Sequence, residues 1–223
     1  MSRYKASITS IEPITHDVLR IRTERPSEID FVSGQATEIF LDKSGWENEG
    51  RPFTFTSLPE DDYLEFTIKC YKERKGVTNE IGKLKLSDQL ILNDIFGAIT
   101  YKGEGVFIAG GAGVTPFISI LRSLAKRNEI GDCKLIFANK TREDIILKEE
   151  FEQLLGSNFV NILSQENVPG LAHGVITEDF LRQHAPDTGK YFYVCGPPPM
   201  MEAMEKILSG MKVDPSHIIQ EES

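Results

Sequence analysis

With 223 residues and 40% hydrophobic content, the chain is long enough for one large domain or two small ones, each with its own core. Its formal net charge of −9 disfavours nonspecific binding to nucleic acid, which requires a positive surface. No apolar stretch is long enough to cross a bilayer, and the first residues lack the apolar core of a secretory signal, so we expect a cytoplasmic protein that does not bind membranes.

Residues 1–102 have the pattern of antiparallel strands. Apolar side chains occupy every second position in residues 64–70, and residues 36–41 show a weaker alternation. Such alternation is typical of strands with one buried face, and turn residues such as Ser33-Gly34 separate the runs. We therefore predict an antiparallel β-barrel or sandwich over residues 1–102.

From residue 103 onward, continuous apolar runs alternate with helical stretches. The predicted strands are 106–109, 135–138, 160–163 and 191–195, and the predicted helices are 116–127, 147–155, 177–184 and 199–210. This order predicts an α/β domain over residues 103–223, with helices covering both faces of a parallel sheet. Ligands of such sheets bind at the carboxyl ends of the strands, near a topological switch point. The polar, glycine-containing connector at 100–105 marks the predicted boundary.

In the first half, residues 51–57 read RPFTFTS and offer three useful groups near one strand. Arg51 could pair with a phosphate, because a guanidinium is a fixed, planar cation. Phe53 could stack on a flat ring, and Thr54 could hydrogen-bond a ring nitrogen. The alternative is a solvated arginine followed by an ordinary strand.

A second segment, residues 72–80, reads KERKGVTNE. Gly76 permits a close approach of the backbone, and Thr78 is predicted to cap a short helix that begins at Asn79. The start of a helix favours phosphate, because its free N–H groups and dipole attract an anion. A basic surface hairpin is the alternative.

The third segment, residues 106–117, reads VFIAGGAGVTPF and leads from a buried strand through three glycines into a helix. Thr115 is predicted to cap that helix, with Pro116 in its first turn. Exposed N–H groups at a helix start bind pyrophosphate. A plain strand–turn–helix corner is the alternative.

The fourth segment, residues 191–200, reads YFYVCGPPPM and places Cys195 at the carboxyl end of a predicted strand. A small buried core residue is the alternative for this cysteine. The other cysteines, Cys70 and Cys133, are distant and form no C-x-x-C pair with it. The sequence therefore predicts neither disulfides nor a metal site, and any redox chemistry would come from an organic cofactor.

In this order, the four segments match R-x-[YF]-[ST], G-x-[ST], G-G-x-G-[VI]-[TA]-P and C-G-P-x-x-M. Together they resemble the ferredoxin–NADP reductase superfamily over nearly the whole chain. The resemblance implies an N-terminal antiparallel β-barrel that binds FAD and a C-terminal α/β domain that binds NADPH or NADH. Residues 137–145, FANKTREDI, look like the NADH-dependent cytochrome reductases of this superfamily.

The resemblance also implies roles for particular residues. Thr54 would face flavin N5, Cys195 would lie beside the nicotinamide ring, and Glu221 is a third catalytic candidate near the chain end. The implied cofactor-binding residues are Arg51, Pro52, Phe53, Thr54, Ile68, Lys69, Gly76, Val77, Thr78, Gly110, Gly111, Ala112, Gly113, Val114, Thr115, Lys140, Arg142, Cys195, Gly196, Pro197 and Met200.

Three departures from the superfamily pattern matter. Phe53 replaces a commoner tyrosine. Ser164-Gln165 stands where many NADPH-dependent members carry Ser-Arg, although Lys140 and Arg142 could supply charge instead, so the choice between NADH and NADPH stays open. Residues 220–223, QEES, lack the closing aromatic residue that members often have.

The function implied by the resemblance is hydride transfer from a nicotinamide dinucleotide to FAD, and then electron transfer to a small carrier such as ferredoxin or flavodoxin. One alternative is reduction of free flavin, another small acceptor or a cytochrome. Another is an electron-transfer subunit or sensor without turnover of its own. Neither half of the chain is basic, so an acidic carrier would need a local patch. Lys69, Lys72, Arg74 and Lys75 are candidates, and a solvated strand edge is the alternative.

Overall fold

A computed structural model describes residues 3–97 and 99–221. Its first half is a six-stranded sheet in which every pairing is antiparallel. The strands are β1 (Tyr4–Pro13), β2 (Val18–Glu24), β3 (Gln35–Leu41), β4 (Arg51–Thr54), β5 (Tyr63–Lys69) and β6 (Gln89–Gly97), with helix α1 (Val77–Ile81) between β5 and β6. The strand order is β4-β3-β6-β1-β2-β5.

The two edges of this sheet meet just after β4. Phe55 forms an antiparallel bridge with Phe66 of β5, and the amide of Thr56 donates to the carbonyl of Glu65 at 2.7 Å. The ring of Phe55 also stacks on that of Phe31, with 4.2 Å between centroids. The predicted antiparallel barrel is therefore confirmed, and its core is aromatic where it closes.

The second half is a parallel six-stranded sheet with helices. Its strands are β7 (Gly105–Gly110), β8 (Lys134–Asn139), β9 (Phe159–Leu163), β10 (Ala172–His173), β11 (Tyr191–Cys195) and β12 (Ile218–Gln220). Its helices are α2 (Thr115–Lys126), α3 (Lys148–Leu155), α4 (Glu178–His184) and α5 (Pro198–Gly210). The predicted α/β domain is confirmed, and each predicted helix and strand ends within one residue of the observed one.

The order of this sheet, β10-β9-β8-β7-β11-β12, creates a switch point. The chain runs outward from β7 through β8, β9 and β10, then crosses back to β11 on the opposite side of β7. The connections that leave β7 and β11 therefore diverge, and a crevice opens between their carboxyl ends. The glycine-rich segment after β7 and the Cys195-Gly196 pair at the end of β11 meet at this crevice.

Two predicted helix caps were wrong. Helix α2 begins at Thr115, whose backbone is already helical, because Gly111–Val114 forms a 3₁₀ turn that leads directly into it. A capping residue needs extended backbone, so Thr115 cannot cap, although Pro116 does lie in the first turn. Helix α1 begins at Val77 and has Gly76, rather than Thr78, at its N-cap.

Helix α2 packs the sheet domain against the barrel. Ser119 donates through its hydroxyl to the carbonyl of Ser57 at 2.7 Å. Gly34 has φ +95°, and a Cβ there would lie 2.0 Å from the carbonyl oxygen of Ile99, so only glycine allows this approach.

The connector between the halves is anchored. The hydroxyl of Tyr193 accepts from the amides of Lys102 and Gly103 at 2.9 and 3.0 Å, and donates to the carbonyl of Gly103. The domain boundary between residues 102 and 103 stays a prediction. No helix among the described residues is long and apolar enough to cross a membrane.

Candidate functional site

Two adjoining clefts open at the carboxyl edge of the parallel sheet. The larger, about 730 Å³, lies over the ends of β7 and β11. The smaller, about 450 Å³, lies between the barrel and the sheet domain. Lys69, Tyr71 and Ala112 line both clefts. A ligand in one cleft can therefore reach a ligand in the other.

The glycines at the switch point serve two different purposes. A Cβ on Gly110 would lie 2.4 Å from the sulfur of Met200, and one on Gly113 would lie 2.3 Å from the carbonyl oxygen of Cys195. These two glycines let the β7 and β11 connections pack together. Gly111 differs, because it has φ +52° and a Cβ there would meet nothing within 4 Å. Its backbone faces open space in the larger cleft, where a ligand can approach.

The outer part of the larger cleft combines an apolar surface with a few polar groups. The apolar lining comes from Val175, Ile176 and the α5 residues Ala203 and Met204. The polar lining comes from Asn139, the last residue of β8, and from Lys140 and Ser164, which directly follow β8 and β9. A flat base with an attached ribose suits such a surface, because apolar walls cover the base and a few polar groups orient the sugar.

The smaller cleft is formed mainly by barrel strands. Thr54 of β4 is 8% exposed and lines it together with Phe53 and with Phe96 of β6. Within residues 3–97 and 99–221, no group hydrogen-bonds the Thr54 hydroxyl. Phe96 is 41% exposed at this cleft. The cleft therefore offers an available hydroxyl beside aromatic rings, which suits a planar heteroaromatic ligand.

Cys195 of the sheet domain also lines the barrel's cleft, with Glu221 beside it. Burial, together with the nearby carboxyl of Glu221, raises the pKa of the Cys195 thiol to about 12. Glu221 as a whole residue is exposed. Partial burial of its carboxyl nevertheless raises the pKa of Glu221. Cys195 is therefore a neutral thiol near pH 7 and a poor nucleophile.

Lys69 lies between two carboxylates where the clefts join. Its Nζ lies 2.9 Å from Asp17 Oδ2 and 3.7 Å from Asp144 Oδ1. Burial alone would lower the pKa of Lys69, but the hydrogen bond and charge of Asp17 outweigh it and raise that pKa. His16 joins the same group, 3.6 Å from Asp17 and 3.9 Å from Asp144.

This group of four side chains, which we call the cleft cluster, also has the spacing of a metal site. His16, Asp17 and Asp144 each offer a ligand atom, and these atoms lie within 4.8 Å of one another. The ammonium of Lys69 already supplies a positive charge to both carboxylates. We therefore assign the cleft cluster as an ion-pair group.

The structure separates the predicted cofactor-binding residues into three groups. The larger cleft is lined by Lys69, Gly110, Gly111, Ala112, Gly113, Lys140, Gly196, Pro197 and Met200. The smaller cleft is lined by Pro52, Phe53, Thr54, Ile68, Lys69, Thr78, Ala112, Thr115 and Cys195, together with the catalytic candidate Glu221. Among the described residues, the predicted positions that line neither cleft are Arg51, Gly76, Val77, Val114 and Arg142.

Burial or a local hydrogen bond accounts for three of these five residues. Val77 and Val114 are buried in the two cores, so only their backbones could face a ligand. The exposed Arg51 donates to the carbonyl of Gly50 at 2.6 Å. Arg142 is exposed. Phosphate binding by the Arg51 and Gly76 segments therefore stays a prediction.

The sequence patterns missed several lining residues, among them Asn139, Tyr71 and Asp144. Tyr71 lies two residues beyond the end of β5 at Lys69, so the alternation of that strand does not predict where its ring lies. Asp144 belongs to a capping box with Thr141, a local pattern that does not reveal its contact with the barrel. Nothing in the sequence separates Asn139 from any other residue at a strand end.

The residues present fit a flavin and a dinucleotide. The available Thr54 hydroxyl and aromatic lining suit a flavin ring, and the open space above Gly111 suits a pyrophosphate at the helix start. Residues 3–136 match the FAD-binding domain family, and residues 107–206 match the oxidoreductase NAD-binding domain family.

Individual relatives agree with these two families. The chain is 30% identical to NADH-cytochrome b5 reductase 2-A of Vanderwaltozyma polyspora, covering 94% of this chain and 75% of that protein. It is 28% identical to the reductase component of propane 2-monooxygenase from Mycolicibacterium goodii, covering 89% and 61%. The chain spans between 59% and 63% of the length of several curated relatives.

A solved structure has the same fold. The ferredoxin NADP+ reductase from Neisseria gonorrhoeae, with bound FAD and NADP, superposes with a TM-score of 0.80 at 20% identity, covering 95% of this chain and 92% of that one. Because the FAD-binding family alone matches more than half of the residues, the chain belongs to the ferredoxin reductase-like family of FAD- and NAD(P)-binding flavoprotein reductases.

Proposed function

We propose that this chain takes hydride from NADH or NADPH onto a bound FAD and passes the electrons to a separate small carrier protein such as ferredoxin or flavodoxin. The observation that carries this proposal is the meeting of the two clefts. Cys195 ends a strand of the sheet domain, yet it lines the barrel's cleft together with Thr54. A nicotinamide held at the switch point would therefore lie next to a flavin held by the barrel.

The protein's part in this chemistry is to hold and align the two rings. Bound FAD supplies an acceptor that takes two electrons as hydride and can release them singly. Gly111 leaves room for the dinucleotide backbone, and the neutral thiol of Cys195 packs at the ring without bonding to it. Thr54 supplies a hydroxyl that can hydrogen-bond the flavin ring. Alignment of this kind can supply several kcal/mol of a reaction barrier.

Three exposed basic residues favour an acidic carrier. Lys72, Arg74 and Lys75 follow β5 and are exposed close to Tyr71, which lines both clefts. Lys69 is not available for this patch, because Asp17 and Asp144 hold its ammonium. Electrostatic complementarity mainly increases the rate of association. A cytochrome is the second candidate acceptor, favoured by the similarity to a cytochrome b5 reductase.

Three measurements test the function. The purified protein is denatured to identify its released flavin, mixed anaerobically with NADH or NADPH to follow flavin reduction, and then assayed with flavodoxin, ferredoxin, cytochrome b5 and free FMN. We expect FAD, rapid reduction, and the fastest reoxidation by an acidic carrier protein. Absence of flavin, or flavin that neither dinucleotide reduces, would contradict the proposal. Fastest turnover with free FMN or the cytochrome would replace the proposed carrier.

A variant tests the role of Thr54. Thr54→Val keeps the shape and removes the hydroxyl, so we expect flavin reduction to slow by about tenfold, the equivalent of one lost hydrogen bond. Thr23→Val is the matched control, because Thr23 is a fully buried barrel threonine that lines neither cleft. Equal single-turnover rates in the two variants would remove Thr54 from the mechanism.

A further inference from the structure

Three polar side chains of β5 face the sheet domain at alternate positions. The first and the last, Glu65 and Lys69, form ion pairs with side chains of that domain. Thr67 lies between them on the same face, because side chains alternate along a strand. It is 5% exposed and lines the smaller cleft. Thr67 therefore belongs both to the contact between the domains and to the cleft that suits a planar heteroaromatic ligand.

The hydroxyl of Thr67 is the outer end of a chain of hydrogen bonds. It contacts the hydroxyl of Thr56 at 3.3 Å, and the hydroxyl of Thr56 contacts a carboxylate oxygen of Glu65 at 3.0 Å. Arg22 and Arg122 both pair with that carboxylate, which keeps it ionised. The chain therefore connects the cleft to a buried negative charge.

The ionised carboxylate determines the direction of each proton in this chain. A carboxylate can only accept hydrogen bonds, and a hydroxyl has one proton to donate. Thr56 donates its proton to Glu65, so the bond between the two hydroxyls uses the proton of Thr67. The oxygen of Thr67 then offers a ligand in the cleft a lone pair and no proton. Hydrogen bonds in a chain polarise one another, which makes this oxygen a stronger acceptor.

Thr54 lies next to Thr67 but has a different kind of hydroxyl. The antiparallel bridge between Phe55 and Phe66 places Thr54 opposite Thr67, on the same face of the two strands. The hydroxyl of Thr54 has no hydrogen-bond partner in the part of the chain that the structure describes, so it can turn to donate or to accept. The cleft therefore presents one hydroxyl that is free to rotate and one that is fixed as an acceptor.

A flavin ring changes its hydrogen bonding when it is reduced. As the ring takes hydride from the nicotinamide, the nicotinamide is oxidised, the ring gains two electrons, and its N5 changes from an acceptor into an N–H donor. The atom that receives the hydride must lie where the two clefts meet, and Thr67 faces the sheet domain at that place.

We propose that Thr67 accepts a hydrogen bond from the N5–H of the reduced flavin and so raises the reduction potential of the bound flavin. The free hydroxyl of Thr54 can donate to the oxidised ring, whereas the fixed hydroxyl of Thr67 favours the reduced one. Glu65 and Arg122 thereby act on the flavin through Thr56 and Thr67, although the ion pair itself lines neither cleft. This inference rests on the proposed flavin site.

The test measures the reduction potential of the bound flavin. The purified holoprotein is reduced stepwise by dithionite, without oxygen and with a dye of known potential, and the absorbance of the flavin gives the midpoint. Thr67→Val keeps the shape and removes the acceptor, so we expect the reduced form to be disfavoured about tenfold, the size of one hydrogen bond. For a two-electron couple this lowers the potential by about 30 mV. Thr67→Ser keeps the hydroxyl and should have the potential of the wild type.

Two further variants test the chain and supply the control. Thr56→Val leaves the proton of Thr67 free to turn toward the ligand, so the potential should also fall. Thr23→Val is the matched control, because Thr23 is a fully buried barrel threonine that lines neither cleft. It also loses a buried hydroxyl, so a potential equal to that of the wild type in this variant excludes a general effect of lost stability.

Three results would contradict the proposal. An unchanged potential in Thr67→Val would show that the hydroxyl does not act on the flavin, and a raised potential would show that it donates to the oxidised ring. An unchanged potential in Thr56→Val would show that the chain does not fix the proton. Because dithionite replaces the dinucleotide, these measurements are independent of hydride transfer. A flavin that neither NADH nor NADPH reduces, but whose potential falls in Thr67→Val, would contradict the proposed function and leave this inference intact.

Discussion

Two groups of charged side chains connect the barrel to the sheet domain, and only one of them contains a charge with no exposed surface, that of Glu65. The first, which we call the buried cluster, consists of Arg22, Glu65, Arg122 and Glu150. The second is the cleft cluster of His16, Asp17, Lys69 and Asp144. In each group, a cation of one domain pairs with a carboxylate of the other. The buried cluster lines neither cleft, whereas Lys69 lines both clefts and Asp144 lines the larger.

Glu65 shows how completely the buried cluster is satisfied. Its side chain has no exposed surface, and it accepts from Arg122 at 2.6 Å, from Thr56 at 3.0 Å and from Arg22 at 3.0 Å. Burial alone would raise the pKa of Glu65, but the charges and hydrogen bonds of Arg122 and Arg22 outweigh it and lower that pKa. In the cleft cluster, Lys69 and Asp17 each keep about a fifth of their side-chain surface exposed.

The two clusters are both built from ion pairs, but the comparison indicates that they have different roles. Removing one partner of a buried pair leaves a charge that water cannot reach, and this is costly. Removing one partner of a partly exposed pair costs little, because water and salt screen the remaining charge. We therefore expect the buried cluster to determine the stability of the interface and the cleft cluster to affect ligands more than folding.

The largest expected effect comes from Arg122→Leu. It leaves Glu65 buried and without its closest cation, so we expect the free energy of unfolding to fall by about 4 kcal/mol. Urea denaturation measures this change. Arg182→Leu is the control, because Arg182 forms an exposed pair with Glu178 within α4 and should cost only about 0.4 kcal/mol. Similar losses in the two variants would contradict the assigned role of burial.

Glu65→Gln is expected to have an intermediate effect that depends on pH. The amide keeps the shape and loses the charge, which should cost about 2 kcal/mol at pH 7. The pKa of Glu65 is lower in the folded protein than in the unfolded chain. The charge of Glu65 therefore stabilises the folded protein at any pH above the pKa in the unfolded chain, and this stabilisation is lost as the pH falls through the pKa in the folded protein.

Unfolding at several pH values tests this prediction. The stability difference between wild type and Glu65→Gln should be constant above the ordinary glutamate pKa, about 4.3, and should shrink below it. A difference that grows as pH falls would show that the carboxyl of Glu65 is protonated in the folded protein, in contradiction to the assigned ion pairs.

The burial and length of each strand explain which strands could be predicted from the sequence. Strands of the parallel sheet are buried on both faces, so their continuous apolar runs were recognisable to within one residue. Strand β1 was not identified, because a register shift between Ile8 and Ser10 interrupts its alternation. Strands β10 and β12 have two and three residues, which is too short for any period to be seen.

Charged residues were harder to interpret than apolar ones. Glu65 lies in a run that alternates as an ordinary half-exposed strand, yet it is fully buried because Arg122, 57 positions later, reaches it. Lys69 was grouped with the surface basic residues, although Asp17 and Asp144 hold it. Both errors have one cause: an ion pair between domains depends on tertiary contacts that have no local signal.

Lys69→Met should have a smaller effect on stability than either change in the buried cluster. It leaves Asp17 and Asp144 without their cation, but the site is partly exposed, so we expect a loss of about 1 kcal/mol. The larger consequence should be for ligands, because two unpaired carboxylates would then face the join between the clefts. We expect weaker binding of the dinucleotide, measured from the concentration dependence of flavin reduction. Affinity equal to that of the wild type would confine Lys69 to a structural role.

The smallest expected effect on stability comes from Cys195, where the effect should be on rate. Cys195→Ser and Cys195→Ala remove little volume at a half-buried position, so we expect the unfolding free energy to change by about 0.5 kcal/mol or less. Because Cys195 lines the cleft beside Thr54, loss of its sulfur should loosen the position of the nicotinamide. Flavin reduction at saturating dinucleotide should slow by about tenfold, with a smaller change in affinity.

Two further measurements separate positioning by Cys195 from nucleophilic chemistry. Burial raises the pKa of its thiol to about 12, so Cys195 should resist iodoacetamide at pH 8, and the rate of flavin reduction should show no titration of this thiol between pH 6 and 9. Rapid alkylation there would indicate a thiolate and overturn the assignment. Cys133→Ala is the packing control, because Cys133 is fully buried and lines neither cleft. It should lower stability and leave the rate of flavin reduction unchanged. If Cys195→Ala behaves in the same way, Cys195 is a core residue and other groups position the nicotinamide ring.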